Sequence, residues 1–135
     1  MNSQSELEKL VQWRAADRCE YCRMHQQLQG ATFHVEHVIP RSRGGLTEFW
    51  NLAWACPSCN LHKADRVEIP GVNSDSPVDL FNPRNHVWDE HFAWNGFEIV
   101  GLTPIGEALI VAFKLNQARR VRIRQAEQML GLFPP

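Results

Sequence analysis

No stretch of this sequence approaches the roughly 20 consecutive apolar residues that a bilayer-spanning helix needs, so no membrane-spanning helix is expected. The opening Met1-Asn2-Ser3-Gln4-Ser5-Glu6 lacks the basic-then-apolar pattern of a secretory signal, and a cytoplasmic location is expected. There is no internal repeat to build a solenoid, and no low-complexity tract to suggest wholesale disorder. Charge of one sign is also lacking, since the formal net charge is −1. The chain is therefore not coated in positive charge, and any attraction for an anionic partner has to come from a local cluster.

What is present fits one compact domain with a smaller appendage: 135 residues, 44% hydrophobic and 21% charged. Lys114, Arg119, Arg120, Arg122 and Arg124 form a basic run without an acidic residue between them. Such a run neutralises phosphates or forms a solvated helix face.

The local patterns predict a mixed chain. Ser5-Glu6-Leu7-Glu8 matches a capping box, and Leu7, Leu10, Val11 and Arg14 follow at helical spacing, which predicts a helix over 5–17. Thr32 to Ile39 is β-prone and ends at Pro40; Gly44-Gly45 marks a loop. Asn51 to Ala55 reads as a turn or a short helical segment, and 60–66 as a helix. Residues 67–87, with Pro70, Gly71, Pro77 and Pro83, read as a linker wrapped on the core. Asn95-Gly96 between two β-prone runs signals a hairpin. Thr103-Pro104 starts a helix to about Leu115; a last helix from Asn116 to Leu130 stops at Gly131.

The four cysteines fall in two C-x-x-C pairs, Cys19/Cys22 and Cys56/Cys59. In a reducing compartment such pairs are metal ligands or redox couples rather than structural disulfides. A thioredoxin-like couple needs a βαβ setting that neither pair has. Four thiolates are the ligand set of a tetrahedral structural zinc, whose binding contributes roughly 10–16 kcal/mol to folding in small modules. The 33 residues between the pairs, 23–55, exceed the spacing of a common zinc ribbon, so something is inserted between the two knuckles.

That insert carries His34-Val35-Glu36-His37-Val38-Ile39-Pro40-Arg41, then Gly44-Gly45 and Asn51-Leu52; Cys59-Asn60-Leu61-His62-Lys63 follows. Hydrolysis of a phosphodiester needs a base for water, a cation for the phosphate and leaving oxygen, and groups that aim both. An imidazole is a base near pH 7, while carboxylate and amide oxygens suit Mg²⁺. Strand neighbours such as Glu36 and His37 point to opposite faces, so joint service at one phosphate calls for a bend or bulge near Pro40. His34 reads as a hydrogen-bonded neighbour rather than a ligand. His86 and His91, near Asp89 and Glu90, read as histidines among aromatic neighbours rather than a second metal site. The five tryptophans read as core, with base stacking by Trp50 or Trp54 as the other use.

Over residues 19–63 the chain resembles the HNH endonuclease family: C-x-x-C, an acidic residue before His, Pro, Gly-Gly, Asn-Leu, C-x-x-C-Asn and Lys. Leu80-Phe81-Asn82-Pro83-Arg84, Trp88, His91-Phe92 and Gly101-Leu102-Thr103-Pro104 resemble, more loosely, tails on small bacterial HNH proteins. The resemblance implies an α+β fold with a ββα-metal (His-Me finger) core over 1–68 and a hairpin-and-helix extension over 69–135 packed on it. It implies a nuclease acting on nucleic acid, DNA in the first instance, with 5′-phosphate and 3′-hydroxyl products. His37 is then the general base and Asn51 the residue that pins the loop. Glu36 and Asn60 hold a catalytic divalent ion, with His62 as a further ligand or phosphate contact, and Arg41 and Lys63 bind phosphate. Glu36 stands where many members have Asp, and Asn60 makes the pattern H-N-N. A nitrogen from His62 would favour Mn²⁺ or Ni²⁺ over Mg²⁺. Cutting both strands with one site per chain favours a homodimer. The competing reading is a non-catalytic zinc-knuckle module that binds nucleic acid.

Overall fold

The fold is described from a computed structural model over residues 3–28, 30 and 32–135, with side chains from residue 5 onward. Helix α1 (Ser3–Arg14) begins two residues before the capping-box serine, so Ser5 lies inside its first turn. It ends earlier than periodicity suggested, because Ala16 and Asp17 take positive φ values of 55° and 62° that no α-helix accommodates. After the first cysteine knuckle come strand β1 (His34–His37), a loop with two short 3₁₀ turns, strand β2 (Leu52–Ala55) and helix α2 (Pro57–Lys63). β1 and β2 pair antiparallel, His34 opposite Ala55 and His37 opposite Leu52. This is a ββα unit.

Of the turn or helical segment expected over 51–55, Asn51 alone closes a 3₁₀ turn, and Leu52–Ala55 form a strand instead. All four residues of β2 are buried, which removes the in-out alternation that identifies a strand. Nor is 67–87 only a linker. It contains the antiparallel pair β3 (Glu68–Pro70) and β4 (Pro77–Asp79), and Ile69, Leu80 and Phe81 enter the core.

A short helix α3 (Trp88–His91) leads into the expected hairpin, β5 (Phe92–Asn95) and β6 (Glu98–Gly101). Asn95 pairs with Glu98, so the two loop residues are Gly96 and Phe97, with the positive φ at Gly96. The loop thus starts one residue later than an Asn95-Gly96 loop would, which puts glycine at the first central position of the turn instead of the second.

Helix α4 (Pro104–Ala112) starts as expected: Thr103 Oγ accepts from Gly106 N at 3.1 Å and Pro104 occupies the first turn. Helix α5 (Ala118–Met129) stops at Gly131 (φ 74°), where Leu132 N bonds Glu127 O and Gly131 N bonds Gln128 O. That pair of bonds is a Schellman closure. Among the described residues an apolar cluster runs from Val11, Met24 and Phe33 through Leu52 and Ile69 to Phe92, Ile99, Leu109 and Phe113. Trp88 Nε1 also donates to Tyr21 O at 3.0 Å, tying α3 to the first knuckle. Among the described residues no helix is long and apolar enough to cross a membrane.

Inward-facing charge on α5 corrects the reading of its basic run. Arg120, Arg124 and Glu127 are each 1% exposed, whereas Arg119 and Arg122 face solvent. Two of the four arginines on this helix are therefore structural.

Candidate active site and cysteine cage

The first knuckle closes by main-chain bonds, Cys19 N to Met24 O (2.9 Å) and Arg23 N to Cys19 O (2.8 Å), with Arg23 in a left-handed conformation. Glu20 clips it to β2: its N–H donates to Trp54 O, and its Oε2 accepts from Trp54 N at 2.8 Å. The second knuckle opens α2, with Cys56 as N-cap and its sulfur accepting from Cys59 N at 3.4 Å. These two clips bring the four buried sulfurs of Cys19, Cys22, Cys56 and Cys59 within 4.8 Å of one another, Cys22 and Cys56 at 3.9 Å. A zinc tetrahedron with 2.3 Å bonds requires S–S edges of about 3.8 Å, so the cage fits zinc in donor type, number and size. Contacts with the neighbouring sulfurs, that of Cys19 foremost, lower the Cys56 thiol pKa, while burial raises those of Cys19 and Cys59.

The polar motif lies on the unit that this cage closes. Asn51, 3% exposed, extends the β1 pairing with its side chain. Its main-chain oxygen accepts from Val38 N, and its Oδ1 accepts from Ile39 N at 2.9 Å. Its Nδ2 donates to Ile39 O at 3.1 Å and to Leu46 O at 2.9 Å. The loop between is so tight that a Cβ on Gly45 would sit 1.7 Å from Ile39 O. A glycine is therefore required there.

His37 is half-buried at the end of β1, with Nε2 2.8 Å from Thr47 Oγ1 in the loop that Asn51 closes. Burial, aided by the charge of Arg41, lowers its pKa from 6.5, outweighing the opposite pull of Glu36. The ring is therefore neutral at pH 7. Arg41 itself is exposed.

Glu36 points inward and is 7% exposed. One carboxylate oxygen accepts from the Tyr21 hydroxyl and the other pairs with Lys63 Nζ at 3.1 Å. Burial and the adjacent Glu36 raise the Tyr21 pKa well above 10, so the phenol keeps the proton it donates. Lys63, expected at a substrate phosphate, is instead 1% exposed, and it also donates to His37 O at 3.1 Å. It is the pin that fastens α2 to β1. No bulge carries Glu36 round to the His37 side, for the register is regular through His37 opposite Leu52.

Asn60 sits one turn before Lys63 on α2, about 60° round the helix, and its side-chain amide has no partner among the described residues. Each Glu36 oxygen retains a second lone pair. The two residues thus offer the hard oxygen donors that a divalent ion takes. His62 is not brought to this group. It lies about 160° round the helix from Asn60, its ring 6.3 Å from that of Phe113 and its Nδ1 donating to Ser58 O at 2.7 Å.

His34 is exposed. His86 and His91 lie 5.1 Å apart with Phe81 against both, and among the described residues the cysteine cage is the one cluster of metal-ligating type. Three contributors escaped the sequence reading. Thr47 and Tyr21 sit in the loop and the knuckle without a pattern that marks them, and Arg120 reaches the second knuckle from 61–64 residues away.

Residues 19–66 match the HNH endonuclease family. Neither a curated protein nor a solved structure matches the chain. The match spans both knuckles, both strands of the ββα unit and α2, and so includes all four cysteines of the cage. The family match over residues 19–66 and the four clustered cysteines are together consistent with a zinc-binding HNH endonuclease domain in that part of the chain.

Proposed function

We propose that this protein is a metal-dependent endonuclease that hydrolyses phosphodiester bonds in DNA. The observation that carries the reading is His37: a neutral, partly exposed imidazole at the end of β1, held by Thr47 within the loop that Asn51 closes. If Nε2–H donates to Thr47, the lone pair on Nδ1 is left to take the proton of an attacking water. Asn51 positions the loop, and the exposed Arg41 beside the imidazole contacts the phosphate.

Glu36 and Asn60 are the residues that would hold a catalytic divalent ion, which would supply charge stabilisation to the phosphate and leaving oxygen; with no bulge in β1, the ion and not the carboxylate would have to reach the phosphate beside His37. With His62 turned toward Phe113, the donors are oxygens, and Mg²⁺ is the expected metal ahead of Mn²⁺ or Ni²⁺. Lys63 keeps Glu36 in place rather than binding substrate. Residues 1–68 form the nuclease core and 69–135 an extension packed on it, and double-strand cleavage would need two copies. A non-catalytic binding module has no use for a neutral imidazole so placed.

Plasmid incubated with the protein and Mg²⁺ or Mn²⁺ is expected to be nicked or linearised, leaving 5′-phosphate ends, and EDTA is expected to abolish the reaction. Cleavage undiminished by EDTA, or products with 3′-phosphate ends, would refute this mechanism.

A further inference from the structure

We propose that Arg120, contributed by the C-terminal extension, is the charge partner of the cysteine-held zinc and a positioning residue for Cys56 and Cys59. The inference rests on the cage holding zinc. Four thiolates around Zn²⁺ carry a net charge of −2, and three of the four cysteines are fully buried while Cys56 is 1% exposed. Uncompensated charge in such surroundings is costly, and a cation within hydrogen-bonding reach offsets part of that cost.

Arg120 meets the requirement. Its Nη1 lies 3.6 Å from Cys59 Sγ and 4.0 Å from Cys56 Sγ. Its Nη2 is fixed by Ser58 Oγ and Phe113 O, both at 2.9 Å, so the planar fork aims Nη1 at the sulfurs. One guanidinium thereby grips three of the four residues of the second knuckle. It has no carboxylate partner among the described residues, and the sulfurs are the anionic groups in reach. Arg124, one turn later and equally buried, provides the contrast: it donates to the carbonyls of Phe97 (2.8 Å) and Leu115 (2.6 Å) and to no sulfur. A purely structural role for buried arginines on α5 would make the two equivalent. A lysine ammonium at 120 cannot reproduce a fork that serves a hydroxyl, a carbonyl and two sulfurs at once. The extension is therefore part of the metal site, although it supplies no ligand.

Groups that hydrogen-bond to metal ligands typically govern 10–100-fold in metal affinity. The test uses full-length wild type and the variants Arg120→Gln, Arg120→Lys, Arg124→Gln and the exposed Arg122→Gln. Zinc content is measured first, then the rate of zinc transfer to a chromogenic chelator, then the thiolate-to-cobalt charge-transfer band after Co²⁺ substitution. Arg120→Gln is expected to release zinc roughly 10–100 times faster and to shift the cobalt band. Arg120→Lys should fall between it and wild type, and it keeps the proposal testable should Arg120→Gln fail to fold. Arg124→Gln should melt earlier yet, while folded, release zinc at the wild-type rate, as should Arg122→Gln. Release at the wild-type rate from both Arg120 variants, or equal acceleration by Arg120→Gln and Arg124→Gln, would overturn the assignment and leave the zinc reading standing. Wild type without zinc would overturn both.

Discussion

Replacing Asn51 tests whether one side chain holds the loop that carries the imidazole's partner. Asn51→Ala removes three hydrogen bonds, at 2.9, 3.1 and 2.9 Å, and leaves Ile39 N–H without its acceptor. Each bond is worth about 0.5–1.5 kcal/mol net, and a stranded buried donor costs about 1–3 kcal/mol. The Ile39 and Leu46 carbonyls lie on a loop that water partly reaches, so their loss falls at the lower end. The sum is about 3 kcal/mol, a large share of the 5–15 kcal/mol by which a typical domain is stable. In urea, with a slope of about 1–3 kcal/mol/M, the midpoint should fall by about 1–3 M at unchanged slope.

Asn51→Asp sharpens the test. It keeps the acceptor for Ile39 N–H but sets a carboxylate oxygen against the two carbonyl oxygens that Nδ2 now serves. The folded state should then raise that carboxyl's pKa above the unfolded value of about 3.9. Because the folded form holds the proton more tightly, stability falls as pH rises from the unfolded to the folded pKa, and the deficit against wild type narrows on acidification. A loss below about 0.5 kcal/mol in the alanine variant, or an aspartate deficit that ignores pH, would show that Asn51 does not hold the loop.

Two further outcomes separate surface from core. Trp50 is 61% exposed beside the same loop, whereas Trp54 is 6% exposed, with Nε1 bonded to Gln26. Trp50→Ala should weaken binding of single-stranded DNA by about 1–3 kcal/mol with the melting temperature unchanged, while Trp54→Ala should cost about 3–5 kcal/mol of stability; the reverse pattern in titrations and melts would reassign both. Neutralising exposed Arg119 and Arg122 together should lower the salt slope of DNA binding by about 1 for each phosphate left without its cation, with stability unaltered. An unchanged slope would make that side of α5 an inert solvated face.

Much of the domain could be read from residue order, because its signals are local. The C-x-x-C spacing, Thr103-Pro104, Gly131 and the glycine turn after Asn95 each encode a conformation within a few residues. Strand β2 was not legible, since Leu52 to Ala55 are buried throughout and show no alternation. Strands β3 and β4, three residues each with proline within both, are too short for a period to show. At the site, residue types suggested which groups meet, but which way each points came from packing. Lys63 resembled a phosphate-binding arm and is a buried pin for Glu36, while His62 lies on the far side of α2 from Asn60. On α5 the spacing of Arg120, Arg124 and Glu127 is that of an inward stripe, but its charge disguised it as a solvated one. The missing information was the buried sulfur cluster opposite, more than sixty residues away.

Single-turnover cleavage of end-labelled DNA by His37→Ala reaches the centre of the account. The variant is expected to keep wild-type zinc content and melting behaviour and to cut about 10²–10⁴ times more slowly, the usual loss when a positioned base is removed. Cleavage at the wild-type rate by the folded, zinc-loaded variant would mean that this imidazole does not activate water.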